Sequence, residues 1–320
     1  MMASNADPKR PGKDAPKVFA IVLNWNRTDD TVACLETLLR SHYAALHVIV
    51  VDNGSKVSCR ADVLAKHPSV EVLESEKNLG YSGGNNYGMR YALERGADYV
   101  WVLNNDTLID PEALGALVDC AERHEGAAAV GGRVFRTDKP GVLWMTWGRV
   151  TWLQSLIALE GQDVEDSPRF DGEHRVKWIP GCSILFRAEA LRQVGFFDEN
   201  FFAYHEDVDW AARAEKLGWE LWYTGASRID HSIHASSGGE EASYMGFRSY
   251  LSARNSVLYA LRHGSRVEQA LMATAILVTL PFQWMRRRIR GQQAGVHMKL
   301  RGWRDGLARR PIPFKELGLR

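Results

Sequence analysis

Three clusters of short polar side chains, each following an apolar run, carry most of the chemistry this sequence offers. Asn24-Trp25-Asn26 follows residues 17–23, Asp52-Asn53-Gly54-Ser55 follows residues 47–51, and Asn104-Asn105-Asp106 follows residues 99–103. Asp52, at the end of a buried strand, suits a ribose hydroxyl or a base N–H, although Asp-Asn-Gly-Ser is equally good turn chemistry without a ligand. Asp106 suits a hard divalent cation on phosphates, because such an ion takes one or two carboxylates and completes its shell with phosphate oxygens and water. Asn104 is placed to hold a diphosphate or ribose beside it. An Asn/Asp turn, with Asp110 capping the next helix, is the plainer reading of the same residues.

The stretch from Asn78 to Asn86 adds glycines that allow close backbone approach and a helix start that favours anions. It matches neither GxxxxGK[ST] nor GxGxxG, which argues against P-loop and dinucleotide-binding chemistry. Further on, His205-Glu206-Asp207-Val208-Asp209-Trp210 sets three acids at a helix start, where the dipole alone would favour them. Asp209 stands four residues before Arg213 and is expected to pair with it. That leaves Asp207 as the candidate general base toward an incoming hydroxyl. His231 and His234 follow a strand-like run. A lone histidine is commonly structural, but neutral imidazole also accepts Mn²⁺-type ions, so His231 with Asp106 is a candidate metal pair. Ser236-Ser237-Gly238-Gly239 reads as a mobile loop able to close over phosphates.

The elements that must position these groups alternate. Strands are expected at 17–23, 47–51, 70–73 and 99–103, with helices at 31–39 and 83–95 and another opened by Pro111. Such alternation implies an α/β, doubly wound and mostly parallel sheet, whose ligands bind beyond the carboxyl ends of the strands. Residues 136–175 break the pattern as a Trp-, Gly- and Asp-rich insertion. Strand character resumes at 176–186 and 220–229, and helices are expected at 203–217 and 243–263. There is no internal repeat.

Composition is that of an ordinary globular protein, 45% hydrophobic and 25% charged. Cys34, Cys59, Cys120 and Cys182 show no CxxC spacing, so neither a disulfide framework nor a zinc knuckle is expected. Residues 1–16 read as a disordered leader without the apolar stretch of a signal peptide, which points to a cytoplasmic chain. The net charge of +1 hides an asymmetry. From Arg262 onward there are 13 Lys/Arg against three acids, so the tail carries +10 and the rest −9. Residues 270–285, interrupted by Pro281 and followed by Arg286, Arg287, Arg288 and Arg290, are too short for a comfortable span. They suit an interfacial anchor on an anionic membrane surface, or else a buried helix with a solvated basic end. No aromatic-interleaved basic motif accompanies them, so nucleic acid is not expected as a partner.

Taken together, the sequence resembles the family 2 inverting glycosyltransferases, in their rhamnosyltransferase-like branch. The resemblance spans about residues 17–260. It rests on the clusters at 23–26, 51–55, 78–86 and 103–106, on Pro180-Gly181-Cys182, on Gly195-Phe196-Phe197-Asp198-Glu199, on Glu206-Asp207-Val208-Asp209, and on His231 with Ser236-Ser237-Gly238. It implies a GT-A fold with a nucleotide-binding half (17–135), an acceptor half (136–260) and a basic helical extension (261–320). It implies a nucleotide-sugar site of Asn24, Asn26, Asp52, Asn78, Gly80, Gly84, Asn85, Asn104 and Asn105. Asp106 and His231 would hold Mg²⁺ or Mn²⁺, and Asp207 would be the base. The family's usual Asp-x-Asp stands here as Asn104-Asn105-Asp106, with one acid, which shifts charge compensation onto the donor and His231. The Gln-x-x-Arg-Trp signature of processive synthases is absent, which favours single-sugar transfer. The implied reaction takes L-rhamnose from dTDP-rhamnose, or a hexose from a UDP-sugar, to a glycan or polyprenyl-diphosphate-linked acceptor in cell-envelope polysaccharide synthesis, at the inner face of the plasma membrane. A non-catalytic nucleotide-sugar-binding scaffold is the competing reading.

Overall fold

A computed structural model describes residues 15–153, 156–232, 246–289 and 293–319. The expected leader lies outside them except for Ala15 and Pro16, as do His234 and the Ser236-Ser237-Gly238-Gly239 loop.

Strands β1 (Val18–Asn24), β2 (Leu46–Asp52), β3 (Glu71–Glu74) and β4 (Tyr99–Asn104) lie parallel in the order β4-β1-β2-β3. The runs VFAIVLN and YVWVLN are apolar almost without alternation because helices cover both faces. On one face Ala20, Val22 and Val50 meet Leu35 and Leu38 of α1 (Thr28–Leu38). On the other, Phe19, Ile21 and Val51 meet Met89 and Ala92 of α3 (Gly80–Glu94). Helix α2 (Arg60–Lys66) connects β2 to β3. Register puts Asn24 level with Asp52, and Asn104 beside Leu23, so the three polar clusters share one edge of the sheet.

Beyond β4 the sheet becomes mixed. After β5 (Thr107–Ile109) and α4 (Ala113–Arg123) comes the long strand β6 (Ala127–Arg136). The expected insertion contains β7 (Val142–Met145), β8 (Gly148–Val150), β9 (Ile157–Leu159), β10 (Val164–Glu165) and β11 (Glu173–Val176). Strand β12 (Ser183–Arg187) runs antiparallel between β4 and β6 and leads into α5 (Ala188–Val194). Then follow α6 (Glu206–Lys216) and β13 (Glu220–His231), which pairs antiparallel with β5 and parallel with β6. Among the described residues, three helices follow: α7 (Phe247–His263), α8 (Arg266–Ile289) and α9 (Gln293–Leu307).

The structure corrects several expected bounds. The strand expected over 176–186 is two strands, because Pro180 and Gly181 turn the chain between β11 and β12. The helix expected from residue 203 starts at Glu206, since Phe202, Tyr204 and His205 all have left-handed backbone (φ 63°, 69° and 72°). Pro111 precedes α4 rather than opening it, and Asp110 instead accepts from the Glu112 N–H at 2.9 Å. The boundary drawn at 260 falls inside α7. Helix α9 lies tightly on α7, where a Cβ at Gly302 would meet the Tyr250 carbonyl oxygen at 2.3 Å and one at Gly306 that of Arg254 at 2.6 Å. The following residues reach back to the start of α3: Ile312 and Leu319 are buried with Phe202, and the Leu319 carbonyl accepts from Asn78 Nδ2.

Candidate active site

At the shared edge, several expected ligand-binding side chains are spent on shaping the loops. Asn24 Oδ1 accepts from Thr31 Oγ1 (2.9 Å) and the Arg27 N–H (3.3 Å), while its Nδ2 donates to Ser55. Asn105 Nδ2 points into the same knot, donating to Thr31 Oγ1 and the Arg27 carbonyl. Asn26, with φ 56°, accepts from the Lys56 N–H. Buried Asp52 accepts from the N–H groups of Ser55 (3.2 Å) and Cys59 (2.7 Å), tying the turn after β2 to the start of α2.

The glycine-rich stretch divides between packing and backbone geometry. Gly84 faces β1, and a Cβ there would meet Leu23 Cδ1 at 2.5 Å, so its missing side chain serves helix-to-sheet approach. Gly80 has φ +76° and presses on Phe202, a position closed to any side chain. Asn78 Oδ1 accepts from the Gly80 N–H, and Asn53 bridges Asn78 and Gly80. Asn85 donates to the Tyr81 carbonyl one turn back and keeps its buried Oδ1 without a partner. Asn86 instead clamps α3 to Phe197 and Glu199.

The candidate metal pair comes together. Pairing of β13 with β5 sets His231 opposite Thr107, which brings its Nε2 to 3.2 Å from Asp106 Oδ1. Asn104 Nδ2 lies 3.3 Å from the same nitrogen. Trp144 stacks on the imidazole at 4.3 Å and 3°, fixing the ring plane. Both Asp106 oxygens and His231 Nδ1 are buried without a hydrogen-bond partner. An imidazole nitrogen, a carboxylate and a side-chain amide meet here in a buried site with three polar atoms left unpaired, and imidazole and carboxylate are both ligands of Mn²⁺-type ions. This donor set therefore fits a divalent cation.

The candidate base lies across a short bridge. The Asn104 N–H donates to the Cys182 carbonyl, and the Gly181 N–H donates to Asp207 Oδ2 at 3.0 Å. Tyr81 Oη donates to the Gly181 carbonyl from below. Enclosure raises the Asp207 carboxyl to about 6, against the lowering effect of the Val208 and Gly181 N–H groups. Burial, then the Asp207 charge, pushes its neighbour Glu206 far higher, and Glu206 Oε2 has no partner. Burial thus holds both adjacent carboxyls above the ordinary carboxylate range, and Asp207 is the one that the Gly181 N–H orients. Asp209 is a structural acid, as its spacing implied. Burial alone would raise it, but His263, Arg213 and Arg262 hold it down at about 2.

Two residues that sequence reasoning missed hold this side in place. Asn255 of α7 is fully buried and donates to the carbonyls of Phe201, Ala203 and Tyr204, the loop of left-handed residues before Asp207. Arg254 donates to the carbonyls of Asn200 and Arg310. Their signal was an adjacent Arg-Asn pair between the apolar positions Tyr250, Leu251 and Val257, Leu258 of one helix. A separate grouping of Cys120, His124 and Glu173 sits at the end of α4, where Arg123 and His124 already engage the Glu173 carboxylate. All four cysteines are buried and free.

Residues 19–195, more than half of the chain, match the family model described as Glycosyl transferase family 2. Among curated relatives, the N-acetylglucosaminyl-diphospho-decaprenol L-rhamnosyltransferase of Mycobacterium tuberculosis is 30% identical over 223 residues, covering 62% of this chain and 70% of the relative. The galactofuranosyltransferase GlfT1 of the same organism is 30% identical over 210 residues, covering 63% and 65%. Among solved structures, the mannosyltransferase PcManGT of Pyrobaculum calidifontis, in complex with GDP-Man and Mn²⁺, superposes with a TM-score of 0.55 at 15% identity, covering 93% of this chain and 91% of that one. The shared architecture is the GT-A fold.

Proposed function

The chain belongs to glycosyl transferase family 2, and from that premise we propose an inverting, non-processive transfer of one sugar from a nucleoside diphosphate to an acceptor hydroxyl. The donor is dTDP-rhamnose, or a UDP-hexose. The acceptor is a glycan or a polyprenyl-diphosphate-linked sugar of the cell envelope, met at the inner face of the plasma membrane. The L-rhamnosyltransferase relative, named for a diphospho-decaprenol acceptor, supports a rhamnosyl donor and a lipid-linked acceptor, and the galactofuranosyltransferase relative supports transfer of a hexose. One observation carries the reading: the Asp106 carboxylate, buried without a hydrogen-bond partner beside His231, lies one short bridge from Asp207.

In this reading Asp106 and His231 hold Mg²⁺ or Mn²⁺, which when bound supplies positive charge to the leaving diphosphate. Asp52 and Asn78 shape the turns that border the nucleoside, Asn104 meets the diphosphate, and Asn85 meets the donor through its unpaired Oδ1. Gly80 and Gly84 set the approach of α3, and Asn24, Asn26 and Asn105 shape the loop around the donor. Asp207, oriented by the Gly181 N–H, takes the proton of the acceptor hydroxyl as it attacks the anomeric carbon opposite the diphosphate. The nucleotide half, the acceptor half and the basic extension divide this work in that order.

Donor hydrolysis tests the proposal. Release of nucleoside diphosphate from dTDP-rhamnose or UDP-hexoses should require Mn²⁺ or Mg²⁺, stop with EDTA, and be lost in Asp106→Asn. Donor-induced thermal stabilisation without any turnover would instead favour a nucleotide-sugar-binding scaffold.

A further inference from the structure

Helix α8 has two apolar faces, and among the described residues only one of them is packed. Met272, Ile276 and Leu280 face the main core. On the opposite side Val267, Leu271, Val278, Phe282, Met285 and Ile289 recur at three-, four- and seven-residue intervals and form one stripe along the helix. All six are exposed, Phe282 by 74% and Ile289 by 82%. A helix lying on a protein surface normally turns polar residues to solvent, so an uncovered stripe of about 36 Å marks a contact surface. Arg286 and Arg288 flank its C-terminal end, both exposed, and Arg288 lies over the Trp284 ring. Among the described residues no helix is long and apolar enough to cross a membrane.

We infer that α8 docks flat on an anionic lipid surface, with the stripe among the acyl chains and Arg286 and Arg288 at the headgroups. Charge decides the occupant. An anionic leaflet complements both these arginines and the +10 tail, whereas a second copy carries the same excess of positive charge. Amphipathic helices with Trp and Phe beside arginines bind such interfaces through apolar area plus attraction to acidic headgroups. The inference rests on the glycosyltransferase reading only in that a docked chain meets a lipid-borne acceptor.

Co-sedimentation of the full chain with vesicles reads it without turnover. The chain should bind equimolar phosphatidylcholine and phosphatidylglycerol vesicles, bind phosphatidylcholine alone far less, and release as salt is raised. Phe282→Asp with Ile289→Asp should weaken binding about tenfold or more, with an unchanged unfolding midpoint because both side chains face solvent. Arg286→Gln and Arg288→Gln should each cost about fivefold. Equal binding to both vesicle types, binding to neither, or unchanged binding by the Asp variant overturns the inference. Self-association that the Asp variant abolishes, in place of vesicle binding, assigns the stripe to a second copy and overturns it as well. A chain that sediments with anionic vesicles but turns over no donor refutes the catalytic reading while supporting the docking surface.

Discussion

Asp106 and His231 stand 125 residues apart and meet because β13 returns beside β5. The residue types suggested the pair, since a single carboxylate at a strand end needs a further ligand to hold an ion. The roles of Asn24, Asn26 and Asn105 could not be read the same way, because an amide serves a ligand or a neighbouring backbone equally well. Only the fold shows Thr31, Arg27 and Lys56 occupying them. Asp207 carries the sharpest expectation at this scale. Asp207→Asn should lower turnover about 10²- to 10⁴-fold while nucleotide-sugar-induced thermal stabilisation persists. With its carboxyl raised to about 6, wild-type kcat/KM should rise with pH through that value, and a flat profile from about pH 5 to 7 would count against it as base. For stability the sign reverses. The folded chain holds this proton more tightly than the unfolded one, so the contribution is full below the unfolded carboxylate value and is lost as pH rises through about 6.

At the scale of elements, the strands that follow long apolar runs were legible to within a residue or two, and the segments around them were not. The helix pattern reads from residue 203, yet Tyr204 and His205 take left-handed conformations there because α7 supplies hydrogen bonds that the local sequence does not encode. Non-glycine residues in that region are costly and persist only when held. Asn255→Ala should therefore release the loop that aims Asp207. We expect about 2–3 kcal/mol lower unfolding stability, from the two amide N–H donors shared among the three carbonyls and the lost bond from Arg254 to the Asn255 Oδ1, at about 1 kcal/mol each. Below the unfolding range, kcat should fall more than KM rises. A variant with reduced stability but unchanged kcat would make Asn255 a support of the fold alone. The helical extension expected over 261–320 holds α9, where Gly302 and Gly306 lower helix propensity but let the helix lie against α7.

Across the whole molecule, the family resemblance implies a nucleotide-binding half and an acceptor half that meet near residue 136. The sheet does not divide there. Strand β12 comes from the second part but lies between β4 and β6, pairing Ser183 with Leu103 and Arg187 with Tyr99. A chain ending near residue 135 would thus leave Tyr99, Val100, Trp101, Val102 and Leu103 as an open, strongly apolar edge, the kind of strand border that recruits other chains. Residues 15–135 made alone should form aggregates rather than a nucleotide-binding module, read by light scattering after refolding. Adding a fragment of residues 136–320 during refolding should restore solubility and donor binding together, since one strand supplies both the missing border and the turn that carries Gly181 to Asp207.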